Sequence, residues 1–103
     1  MSDTLILRSN GEYGCTPDPD PWKPPKGSDV KILNASGSVQ TLSNITPGCL
    51  TRRGGGTVTT ITIEPDTENP WTGRAGSTRG TYTYDDGEDG AKLAPRSGTI
   101  DPS

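Results

Sequence analysis

The chain has 103 residues, 26% of them hydrophobic, with no phenylalanine and no histidine, so it is long enough for one domain but builds only a thin core. Ten Lys and Arg against thirteen Asp and Glu leave a net charge of −3; this argues against a nucleic-acid binder, which needs clustered cations to neutralise phosphate. No apolar run reaches membrane-spanning length, so no membrane insertion is expected. The low net charge, together with 14 Gly and 10 Pro, suits short strands joined by tight turns better than disorder. Residues 1–8 lack the basic and apolar regions of a signal peptide, which favours a cytoplasmic location, or export if a signal has been removed.

Leu5 and Leu7 mark a first strand over residues 4–8, ended by Asn10-Gly11. Residues 16–27 carry Pro17, Pro19, Pro21, Pro24 and Pro25. Proline fixes φ and gives no backbone donor, so this stretch reads as an extended edge segment, with Trp22 pinning it down. Val30 and Ile32 share one face of a strand over 30–33, and the turn at 34–37 leads to a strand over 39–42. Ile45, Pro47 and Gly48 form a loop before Cys49 and Leu50, and Arg52-Arg53-Gly54-Gly55-Gly56 is a flexible connection. Residues 57–63, rich in Thr, Val and Ile, are the strongest strand signal. Their apolar side chains change parity between Val58 and Ile61, which predicts a bulge near Thr59 or Thr60, or burial on both faces. Residues 65–79 read as a long loop, polar except for Trp71. A strand over 81–84 puts Tyr82 and Tyr84 on one face, and Thr99-Ile100 closes the domain. The expected core is Leu5, Leu7, Val30, Ile32, Leu42, Ile61, Ile63, Tyr82, Tyr84 and Ile100.

In this order the chain resembles the cupredoxin family over nearly its whole length. Lys26-Gly27-Ser28-Asp29-Val30-Lys31-Ile32-Leu33-Asn34 is similar to that family's strand of a basic residue or Pro followed by Gly-Asp-x-Val-x-hydrophobic-x-Asn. Gly80-Thr81-Tyr82-Thr83-Tyr84 resembles the strand before its metal loop, and Ser97-Gly98-Thr99-Ile100 resembles its last strand. The resemblance implies one all-β domain over residues 1–103, a Greek-key sandwich of about seven to eight strands. It also implies where copper ligands would stand. Gln40 matches the first histidine, Asp86 and Asp89 lie near the thiolate and second imidazole, and Ala94 or Pro95 lies near the axial thioether. Without imidazole and thiolate the blue-copper ligand field cannot form there.

Asp85, Asp86, Glu88 and Asp89, with Gly87 and Gly90, are the densest acidic cluster. They suit a hard cation such as Ca2+ through oxygen ligands, or a solvated turn with no ion. Cys15 and Cys49 fit no CxxC motif; they are candidates for a disulfide, or for two reduced thiols in a cytosolic protein. Arg52 to Gly56 could mimic an RNA-binding RGG segment but reads as a glycine-rich hairpin. Asn34-Ala35-Ser36 and Asn44-Ile45-Thr46 match the glycosylation sequon, as Ser/Thr-rich chains often do. Trp22 and Trp71 are candidate partner-binding residues, because aromatics on loops are enriched at interfaces, with packing at one end of the sandwich as the alternative for Trp71. The functional expectation is a non-catalytic structural or interaction module that binds a protein partner or assembles with itself. A calcium-type module using residues 85–90 is the alternative, and a small hydrolase is third.

Overall fold

The structure, a computed structural model, describes residues 3–10, 14–84 and 96–103. Among the described residues there is no helix, and nine strands form three sheets. The strands are β1 (Thr4–Asn10), β2 (Gly14–Asp18), β3 (Asp29–Ala35), β4 (Gln40–Leu42), β5 (Leu50–Thr51), β6 (Ile61–Ile63), β7 (Trp71–Ala75), β8 (Gly80–Tyr84) and β9 (Arg96–Ile100). The all-β expectation holds, with more strands than the seven to eight anticipated.

The largest sheet has the order β2-β1-β3-β7-β5. β1 and β2 form an antiparallel pair with Leu7 opposite Pro17, whereas β1 and β3 run parallel with Leu5 opposite Ile32. In β3 the alternation of strand geometry is regular. Val30, Ile32 and Asn34 face inward, while Asp29 and Lys31 face solvent. The remaining strands form two pairs, β4–β6 and β8–β9, stitched together by an antiparallel bridge. There Ser43 N donates to Thr83 O at 2.9 Å and Thr83 N returns a bond to Ser43 O at 2.8 Å. Trp22 continues this second layer by a parallel bridge to Ile100.

Both layers feed one hydrophobic core, giving a sandwich-like architecture. All ten residues expected in the core are buried in it. Trp22, Ile45, Leu50, Val58, Ala75 and both cysteines join them.

Two expectations are corrected by this arrangement. Residues 65–79 are not one loop, because Trp71–Ala75 is β7, a strand inside the largest sheet. Gly73 and Arg74 hid its alternation, yet Trp71, Gly73 and Ala75 lie on the inward side, and the Trp71 ring covers the position where a Gly73 side chain would stand. Residues 57–63 are not one bulged strand. Thr57 bridges Thr51 beside β5, the chain then crosses to the other layer, and only Ile61–Ile63 is β6. The parity change between Val58 and Ile61 is the signature of a segment that switches sheets. Pro17, from the proline-rich stretch, lies within β2 at the sheet edge, where a missing N–H is tolerated.

Candidate functional site

Gln40, matched in sequence to a metal-binding histidine, sits in a buried polar knot. Its amide Nε2 donates to Ser36 Oγ and to Ser38 Oγ, each at 3.0 Å. Ser36 Oγ donates to Asn34 Oδ1 at 2.6 Å, and Asn34 Nδ2 donates to Ser38 O at 2.8 Å and to Ile63 O at 2.9 Å. Asn34 belongs to β3 and Ile63 to β6, so this amide ties the two layers together. A buried polar group is costly unless its partners are supplied, and here they come from four neighbouring residues. The knot is built to be satisfied internally, not to present a ligand. Asn34 is 1% exposed, so its sequon lies out of reach in the folded chain.

The other sequence candidates do not converge on one place. Asp85, Asp86, Glu88 and Asp89, with Ala94 and Pro95, lie outside the described residues. Trp22 is 0% exposed, which removes it as a contact residue in this fold. Its N–H donates to Thr99 O at 2.9 Å and its carbonyl accepts from Asp101 N at 2.7 Å, so the residue is mortar between chain segments. Trp71 is half-buried against the core at the end of β7.

Cys15 and Cys49 are both buried thiols, and a disulfide between them is corrected by topology. Cys15 lies in β2 and Cys49 directly precedes β5, at opposite edges of the sheet. Four inter-strand steps of about 4.8 Å put them on the order of 19 Å apart, against the ~4.4–6.8 Å that a disulfide spans between Cα atoms. Cys49 Sγ donates to Thr46 O at 2.9 Å. Burial pushes this thiol's pKa up, against the lowering influence of the Cys49 and Leu50 backbone amides.

Arg52 and Arg53 start the tight turn that links Thr51 to Thr57, with Gly55 N donating to Arg52 O at 2.9 Å. Arg53 and Arg74 converge on Asp29, at 3.7 and 3.3 Å. Asp29 and Arg53 border an open groove of about 160 Å³, lined also by Asp3, Val30, Lys31 and Thr72. Four charged residues in its lining and the exposed ion pairs describe a solvated charged face.

The sheet edges differ from one another. β2 is blunted by Pro17 and by the Arg8–Asp18 ion pair at 2.7 Å. β5 is covered by the bridge from Thr51 to Thr57, and the outer side of β9 is covered by the Trp22 main chain and by the Asp20 carboxylate, which accepts from Thr99 N at 3.0 Å. β6 is paired on one side only, with β4, through Gln40–Ile63, Thr41–Thr62 and Leu42–Ile61. Among the described residues nothing pairs with its other side. The segment leading into it, residues 57–63, contains no charge, proline or glycine. Its Thr57, Thr59, Thr60 and Thr62 are exposed while Val58, Ile61 and Ile63 are buried. Proteins normally protect such an edge with a charge, a proline or a bulge. Sequence reading found this strand but not its position, since hydrophobic periodicity carries no information about which strand lies outermost.

Compared with protein-family models, with curated proteins and with solved structures, the chain shows no match.

Proposed function

We propose that this chain is a non-catalytic, cupredoxin-like Greek-key sandwich that acts as an interaction module, taking up an extended strand at the open edge of β6. The observation that carries the reading is the contrast between β6 and the other edges: β2, β5 and β9 are blunted or covered, and β6 is left uncharged and unpaired on one side. Strand addition draws its affinity from main-chain hydrogen bonds and its specificity from alternating side chains. An exposed row of threonines above buried isoleucines suits that mode. The Greek-key assignment is supported by connectivity. The chain passes between layers from β2 to Trp22, from β3 to β4, from Val58 to β6, from β6 to β7 and from β7 to β8. The non-catalytic reading is supported by the sequence, which holds no histidine, and by the internal saturation of the Gln40 knot.

The test is a fluorescently labelled heptapeptide of alternating Val and Thr, titrated with the protein. It should bind the native chain and slow amide exchange in residues 57–63. Thr60→Pro, which removes an edge donor, should weaken binding about tenfold while leaving the far-ultraviolet spectrum unchanged. Failure to bind, or equal binding to both proteins, removes the reading.

A further inference from the structure

We infer that the strand received at this edge is β6 of a second copy, joined in antiparallel register about a two-fold axis through Thr62. This rests on the strand-addition reading above and identifies its occupant. The segment is complementary to itself. With the axis at Thr62, Thr62 of one copy faces Thr62 of the other, and Ile61 faces Ile63 in both directions. Every isoleucine then stays on the core side and every threonine on the solvent side. A shift by one residue would set isoleucine against threonine and turn the faces over, so the register is fixed by the pattern. Thr–Thr and aliphatic cross-strand pairs are both favourable.

Charge favours the same choice. Each copy carries −3 overall, and two such molecules approach with least repulsion along an uncharged stretch. The first charge met on leaving β6 is Glu64, and in this register it lies opposite Thr60, so no like charges are paired. The contact is isologous: the same edge serves both copies, the assembly closes at two, and the edge that could template open-ended aggregation is consumed.

A charge exchange at Thr62 tests this directly. The side chain is exposed and its hydroxyl lies 3.3 Å from that of Thr41, also on the solvent side, so Thr62→Lys and Thr62→Glu leave the core intact. Sedimentation equilibrium should show a native dimer. Each variant alone places like charges across the axis and should raise the dimer dissociation constant roughly tenfold or more. An equimolar mixture of the two should recover dimer as the Lys–Glu heterodimer, a rescue that a lost contact elsewhere could not produce. A native chain that stays monomeric, or a mixture no more associated than its components, overturns homotypic pairing. If the Val/Thr heptapeptide still binds in that case, the edge serves a foreign strand; if it does not, the strand-addition reading falls as well.

Discussion

Tyr82 carries its hydroxyl into the core, where it has no hydrogen-bond partner among the described residues. Its ring lies over Gly98 on the neighbouring strand, in space that a side chain at that position would fill. The buried hydroxyl is a standing cost, so Tyr82→Phe should stabilise the protein by about 1 kcal/mol or more, read as a higher denaturant midpoint with unchanged slope. Gly98→Ala should act in the opposite direction, because the added methyl group meets the Tyr82 ring. The phenol also gives a pH signature. Burial, then the charges of Asp20, Tyr84 and Cys15, raise its pKa above the ordinary value of 10.0. The folded state therefore keeps a proton that the unfolded chain releases. Its contribution to stability is complete below about pH 10 and falls as pH rises beyond that. Denaturant midpoints between about pH 9 and 11 should decline less steeply in Tyr82→Phe. Asn34→Ala should cost about 3 kcal/mol, since it removes the amide donor to Ile63 O and Ser38 O and the carbonyl acceptor of Ser36 N and Ser36 Oγ, all in buried or partly buried surroundings. Sequence reading recognised Tyr82 and the inward parity of β3 but not the role of Asn34. An asparagine at an inward position looks like a pattern break until the carbonyls it serves are placed beside it.

β7 and β6 show why strand existence was easier to read than strand placement. In β7 the inward positions are Trp71, Gly73 and Ala75, and the glycine is required because the tryptophan ring occupies its side-chain space. A glycine within a short polar stretch reads as a turn, which hides the strand in the sequence. In residues 57–63 the composition is that of a strand and the break in parity is visible in the sequence. The break arises because the segment serves two sheets in succession, which local periodicity cannot distinguish from a bulge. The cysteines teach the same lesson at longer range. Their spacing allowed a loop-closing disulfide, and only the strand order places them at opposite edges. Reductant should therefore leave the melting temperature unchanged, and mass spectrometry of the untreated protein should show two alkylatable thiols after unfolding.

A single core shared by all the sheets predicts that the molecule unfolds as one unit. Ile32→Ala in β3 and Leu42→Ala in β4 belong to different layers, and both side chains are 0% exposed. Each should cost about 2–5 kcal/mol and shift the same transition, whether followed by tryptophan fluorescence or by far-ultraviolet dichroism. Two separable transitions would show that the layers are independently stable. The surface follows a similar division. Arg8–Asp18 and the Asp29 cluster place ion pairs on the broad exposed face, while the uncharged stretch is confined to one margin. Attraction between molecules is thereby focused on a line instead of being spread over a face.

The mortar role of Trp22 has a consequence for how the chain is made. Residues 22–26 receive their main-chain partners from residues 99–103: beside the two Trp22 bonds, Ser103 N donates to Pro24 O at 3.0 Å and Lys26 N to Ser103 O at 3.2 Å. During synthesis this early segment waits, unpaired, until nearly eighty further residues have been added, and loop closure over such a span slows folding. Stepwise folding on the ribosome is closed to this design. A chain arrested at Gly98 should remain protease-sensitive around Trp22, and extension by a few residues should convert it abruptly to the resistant form.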